Sequence, residues 1–220
     1  MKLKLILITV TFTFLSAVSS WANNIAAINQ PITSIVVKKS DRKMYLFNGE
    51  KVLRRYRIGL GFSPKGDKKF EGDGKTPIGG HAIVGMLYRP DRITRPRKWA
   101  LPIRPHDIWS DDVKDPNYNL MGTLPSSFRH ERLFRPDHLY DLIIITNWNW
   151  PFAVKGRGSA IFIHSWRQKV YPTEGCIALN KENLLKVATF IDFGSQLIVP
   201  ETLNAHQRWP NRLGYGLLQN

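Results

Sequence analysis

The chain has 220 residues with 32 Lys plus Arg against 17 Asp plus Glu, a formal net charge of +15, and 43% of its residues are hydrophobic. That length fits one domain or two small ones, and the apolar content, with 7 Trp, 7 Tyr and 11 Phe, excludes a wholly disordered chain; 14 Pro and 16 Gly exclude a long coiled coil. The single cysteine, Cys176, excludes an intrachain disulfide framework and every zinc site that needs paired thiolates.

Residues 1–22 read as a secretory signal. Lys2 and Lys4 give a positive start, Leu5 to Leu15 a short apolar run interrupted by threonines, and Ser20-Trp21-Ala22 a small-x-small cleavage site. The run is shorter than the roughly 20 apolar residues of a membrane span. With no cysteine near the cleavage site, a lipid anchor is not expected. The expected layout is a signal peptide at 1–22, a single domain over 23–200 and a C-terminal tail over 201–220. Export makes a periplasmic or cell-envelope location the expectation. The basic balance favours anionic partners such as acidic wall polymers, and both export and the scattered placement of the basic residues argue against nucleic acid.

Ile32 to Val37 is a β-branched run, followed by Met44 to Phe47, the turn dipeptide Asn48-Gly49 and Val52 to Ile58, which together predict a hairpin. Gly59 to Gly80 is rich in Gly, Lys and Asp, and Tyr88 to Pro136 is rich in Pro; both read as long functional loops. Strands are predicted at Leu142 to Thr146, Ala160 to His164 and Gln196 to Val199. One helix is predicted over Lys181 to Phe193, capped by Asn180 and stopped by Gly194. The sum is a mostly β domain with a few helices.

Three look-alike motifs fail on their spacing. Gly74-Lys75-Thr76 ends like a phosphate loop, but the opening position is Lys69 and Pro77 forbids the helix that must follow. Asp111, Asp112 and Asp115 lack the spacing and closing Glu of a calcium loop. No histidine pair stands four residues apart as a zinc-peptidase helix requires.

Ile161-Phe162-Ile163-His164-Ser165 is an apolar strand ending in a histidine. Twelve positions after His164, Gly175-Cys176 opens another apolar strand. An imidazole beside a thiol can deprotonate it for attack on an amide and later protonate the leaving amine, and a tight Gly-Cys turn can present N–H groups to the oxyanion. Gly175 would allow the backbone close to the substrate. The alternative is a buried, inert Cys176 with a satisfied strand-end His164. Export weighs against it, since an unpaired thiol is a liability in an oxidising compartment.

His164-Ser165 followed by Thr173-x-Gly175-Cys176 resembles the His … [Ser/Thr]-x-Gly-Cys signature of the YkuD-like L,D-transpeptidases, which remodel peptidoglycan. The resemblance runs from about Ile35 to Val199. It includes Glu71-Gly72-Asp73-Gly74-Lys75-Thr76-Pro77, Trp109-Ser110-Asp111-Asp112, His130-Glu131, Asp137-x-Leu139-Tyr140-Asp141 and Gly156-x-Gly158-Ser159-Ala160, in that order. It implies a β-sandwich or barrel-like catalytic domain with long active-site loops. Cys176 is then the nucleophile, His164 its base and Ser165 the residue whose carbonyl orients the imidazole. The implied substrates are peptidoglycan stem peptides, cleaved at the L,D amide before D-alanine through a thioester. An amine, from a second stem or an envelope protein, resolves that thioester in transpeptidation, and water resolves it in an L,D-carboxypeptidase. No metal or organic cofactor is needed. The sequence departs from the family at Glu174, where His is frequent, and at Ala178, where a polar residue is frequent. A carboxylate beside the thiol raises its pKa unless a cation neutralises it.

Arg129, Arg132, Arg157 and Arg167 are candidates for binding stem-peptide carboxylates, which the Arg fork matches; solvated surface charge is the other reading. His130 either joins the site or ties down its loop. Trp148 and Trp150, beside Asn147 and Asn149, either line a groove or pack. Asp73 and Thr76 are expected to shape the glycine-rich loop. A basic wall-binding protein without chemistry and a cysteine peptidase acting on proteins are the competing functions.

Overall fold

β-branched and aromatic residues, broken by Gly, Pro and Asn, generate short strands throughout residues 32–201, the part of the chain that the computed structural model describes. The expected signal peptide and all but the first residue of the expected tail lie outside it. β1 (Ser34–Lys38), β2 (Lys43–Asn48) and β3 (Lys51–Arg57) form the antiparallel meander expected around Asn48-Gly49. β4 (Gly79–Tyr88) has no clear sequence alternation because it changes partners midway. Its first half pairs with β12 (Gln196–Val199) and its second half, past a bulge, with β9 (Leu142–Thr146).

The stretch from Tyr88 to Pro136, expected as loop, carries four short strands. β5 (Leu101–Pro102) lies on β4, and β6 (Asp107–Ser110), β7 (Met121–Thr123) and β8 (His130–Arg132) form a separate sheet in the order β7-β6-β8. Strands of two to four residues between prolines are too short to show a period. β10 (Phe162–Ser165) starts two residues later than expected, since Ala160 has φ 51° and donates its N–H to Asn119 Oδ1 at 2.9 Å. β11 (Ile177–Leu179) completes the main sheet, in the order β11-β10-β9-β4-β12-β1-β2-β3. The two ends meet where Gly59 and Ala178 exchange backbone hydrogen bonds of 2.7 and 2.9 Å, so the sheet is barrel-like and nearly closed.

α1 (Lys181–Phe190) is capped by Asn180, whose side chain accepts the N–H of Asn183 at 2.9 Å, and it buries Leu184, Val187 and Ala188. It ends three residues before the predicted Phe193. Ile191 is drawn into the core in an extended conformation, and Gly194 serves the following turn, Asp192 to Ser195. Alternation along β9 divides two cores. Leu142 and Ile144 point inward to α1, Ile35, Ile163 and Leu179, whereas Ile143 and Ile145 point outward to Trp109, Leu133, Tyr140 and Phe162. With both faces covered, β9 reads as an unbroken apolar run.

Candidate active site

β10 and β11 are parallel neighbours in the register Ile163↔Ile177 and His164↔Ala178. Side chains alternate, so Ile163, Ile177 and Leu179 enter the inner core while Phe162 and His164 face outward. Cys176, one residue before β11, therefore sits beside Phe162 on the outer face, diagonal to His164. The separation of twelve residues is what a strand, a crossover loop and a return to the neighbouring position require.

His164 Nδ1 lies 2.7 Å from the Ser165 carbonyl oxygen. A carbonyl only accepts, so Nδ1 carries the proton and Nε2 keeps its lone pair. Tyr140 packs edge-on against the imidazole, with ring centroids 5.3 Å apart at 82°. Burial lowers the imidazole pKa to about 4, opposing the Ser165 hydrogen bond. Burial also pushes the Cys176 thiol up to about 12; the Phe162 N–H opposes this and the charge of Glu131 adds to it. The thiol donates to Ala160 O at 3.1 Å and accepts from Phe162 N at 3.4 Å. Among the described residues no hydrogen bond joins it to His164. The pair at rest is thus thiol and imidazole, both neutral.

In the Gly-Cys turn the Gly175 N–H is held at 3.2 Å by Thr173 Oγ1, whose own hydroxyl donates to Cys176 O at 2.7 Å, so this one N–H is committed to the turn. Gly175 has φ 142°, and a Cβ there would come within 2.7 Å of Lys75 O. The close approach it permits here is to the glycine-rich loop.

The thiol and imidazole open onto a cleft of about 830 Å³. Of the predicted binding residues, Arg129, His130, Arg132 and Arg167 line it; of the residues predicted as catalytic, Cys176 and His164 line it, whereas Ser165 and Gly175 do not, their contacts to His164 Nδ1 and Thr173 being made through backbone atoms. Arg157 does not line it; its guanidinium lies 4.8 Å from the centre of the Trp148 ring, a cation–π contact beyond the cleft. Arg129 is pinned to Asp111, with Nε 3.1 Å from Oδ1. His130 does both things foreseen for it, lining the cleft and holding its loop through Nδ1, 2.7 Å from Phe128 O. Trp148 is buried edge-on to His81, and Asn149 bonds Val154 and Gly158, so this segment packs rather than lines a groove.

Sequence reasoning did not single out Glu131, Arg135 and Tyr140, which also line the cleft. Tyr140 donates to Glu131 Oε1 at 2.6 Å, and Arg135 stacks over the Tyr140 ring at 5.3 Å. The signal was present in His130-Glu131 and Leu139-Tyr140, quoted above as part of the resemblance. Glu174 lines the cleft and forms no ion pair among the described residues, so its charge is left to raise the thiol pKa.

Beneath the cleft the glycine-rich loop is organised by Asp73. Its carboxylate accepts from Lys68 Nζ at 2.9 Å and from the N–H groups of Lys69, Phe70 and Lys75, which hold its pKa down at about 2 against burial. Thr76 Oγ1 accepts the Gly61 N–H at 3.1 Å. Asp112 and Asp115 shape turns by accepting from Lys114 and Asn117.

The family model of the YkuD L,D-transpeptidase catalytic domain matches residues 32–199. Among solved structures, the chain is similar to the helical cell shape determining protein Pgp2 from Campylobacter jejuni, at 20% identity over 81% of this chain and 54% of that one, with a TM-score of 0.45. Bd1075 from Bdellovibrio bacteriovorus is similar at 20% identity over 79% and 49% with a TM-score of 0.45, and an L,D-transpeptidase from Mycobacterium smegmatis at 15% over 75% and 57% with a TM-score of 0.39. The chain spans about half the length of these proteins. No curated protein matches it.

Proposed function

Because this chain belongs to the YkuD family of L,D-transpeptidase catalytic domains, we propose that it is a cysteine acyl-transferase acting on peptidoglycan stem peptides. The observation that carries this reading is the pairing of β10 and β11, which brings the Cys176 thiol and the His164 imidazole, with Nε2 unprotonated, to one cleft.

In the proposed reaction Cys176 Sγ attacks the carbonyl carbon of the L,D amide while its proton passes to His164 Nε2. Collapse of the tetrahedral intermediate breaks the C–N bond, and the imidazolium returns the proton to the departing amine of D-alanine, leaving a thioester. An incoming amine gives its proton to the same nitrogen as it attacks, and the thiolate leaves and is reprotonated. Water in that role gives hydrolysis. Both groups being neutral at rest favours proton transfer in step with attack over a standing thiolate–imidazolium pair. The export expected from residues 1–22 would place this chemistry in the cell envelope.

One observation favours a second reading, a wall-binding protein without chemistry: the thiol is buried and occupied by Ala160 O. Mass spectrometry of tetrapeptide muropeptides incubated with the intact protein and with Cys176→Ala separates the two. Cross-linked dimers or loss of D-alanine confined to the intact protein supports acyl transfer. Binding of the muropeptides without turnover or a Cys176 adduct supports the second reading.

A further inference from the structure

Glu131 raises the pKa of the very thiol that the proposed reaction must deprotonate, so its presence on the cleft wall calls for a separate explanation. Its position is fixed. It lies in β8 opposite Trp109, and its Oε1 receives the Tyr140 hydroxyl at 2.6 Å. Its other oxygen has no hydrogen bond or ion pair among the described residues, although Arg129, Arg132, Arg135 and Arg167 all line the same cleft. Arg129 is engaged by Asp111 and Arg135 by Asp137 at 2.7 Å. One carboxylate oxygen therefore faces the cleft unpaired, next to the nucleophile.

A carboxylate in that position prefers a cation. Burial raises the pKa of Glu131 against the Tyr140 hydrogen bond and the Arg135 charge, and the charges of Asp111 and Asp137 raise it further; a bound positive charge would relieve what those two partners leave. Among the described residues no group of three acidic, His or Cys side chains could hold a metal ion. The fitting partner is an ammonium group on a flexible stem, compact enough to enter beside Tyr140 and able to donate to the free oxygen.

We propose that Glu131 is a specificity-determining residue that receives an ammonium group of the peptide, so that the cleft selects stem peptides with a free side-chain amine over their N-acylated forms. This rests on the acyl-transfer reading for the identity of the peptide, but not for the charge of the subsite. The arrangement gives the cleft two poles, with Arg132 and Arg167, in no ion pair among the described residues, to take carboxylates and Glu131 to take the ammonium.

The test has two arms on the full chain. In the first, Cys176 is modified with methanethiosulfonates of similar size bearing a trimethylammonium, no charge or a sulfonate. Electrostatic focusing in a cleft changes such rates by tenfold or more. The ratio of cationic to anionic rates should fall about tenfold in Glu131→Gln, and Glu182→Gln, which removes an exposed carboxylate from the first turn of α1 outside the cleft, should retain it. An unchanged ratio in Glu131→Gln, or an equal fall in Glu182→Gln, overturns the proposal. In the second arm, Glu131→Gln should raise KM for a tetrapeptide with a free side-chain amine about tenfold and leave KM for its N-acetylated form unchanged. Equal effects on both peptides overturn the ammonium assignment while leaving acyl transfer standing. A shifted reagent ratio with no turnover of either peptide overturns acyl transfer while leaving the cationic subsite standing.

Discussion

Asp73 in the glycine-rich loop and Glu131 on the cleft wall are both drawn away from water, yet their surroundings push them in opposite directions. Asp73 accepts from Lys68 Nζ and three backbone N–H groups and titrates at about 2; Glu131 has one phenol hydroxyl and a raised pKa. The loop spends its polar groups on one another, with the Lys68–Asp73 pair 1% and 3% exposed, and becomes a floor for the Gly175-Cys176 turn. The cleft wall leaves polar atoms unspent. A buried charge met by protein donors on every side builds a framework, and a carboxylate oxygen left open to a cleft is available to a ligand.

Breaking the cleft should cost chemistry, and breaking the loop should cost stability. The largest effect belongs to Cys176→Ala, which should abolish thioester formation as read by intact-mass adducts with the muropeptide. His164→Gln should lower kcat/KM by about 10²–10⁴-fold, the usual contribution of a general base, with little change in thermal midpoint at neutral pH. Asp73→Ala leaves the buried Lys68 without its counter-ion and should destabilise the fold by about 3–5 kcal/mol in urea unfolding, while the protein that remains folded keeps its KM. Gly175→Ala forces a Cβ against Lys75 O at a left-handed φ and should cost about 1–3 kcal/mol. Arg157→Ala, outside the cleft, should cost about 1 kcal/mol of cation–π contact and leave KM unchanged.

Acid sharpens the same contrast. His164 has its folded pKa lowered from 6.5 to about 4, so it binds fewer protons folded than unfolded. Its contribution is full above pH 6.5 and is lost as pH falls toward 4. Asp73, lowered from 3.8 to about 2, contributes fully above pH 3.8 and loses that contribution as pH falls toward 2. Urea midpoints followed from pH 8 to 2 should therefore decline through both windows, with His164→Gln flattening the upper one and Asp73→Asn the lower.

The fold was legible wherever one face of an element met one environment or both faces were buried. The β1–β3 meander, β9 and β12 stand as their residues predict, because alternation or an unbroken apolar run records burial directly. β4 was not legible, since a strand that changes partners around a bulge has no single period. The helix end was misplaced by three residues because Gly194 looks like a stop, whereas burial of Ile191 ended the helix first.

In the site, the sequence by itself determined the candidate nucleophile, the candidate base and their spacing, because Cys176 is the single cysteine and His164 one of six histidines, each set at or beside the end of a short strand. It also determined that Asp73 shapes its loop, since Asp before Gly is local turn chemistry. Tertiary structure alone decided that Arg157 stacks on Trp148 away from the cleft, that Gly175 N–H is held by Thr173, and that Glu131 and Tyr140 stand beside the thiol. Those outcomes depend on which distant surfaces meet when β8 and the loop ending at Tyr140 close over β10. Charge and polarity are written in the sequence, but whether a polar group is satisfied depends on partners supplied from far along the chain.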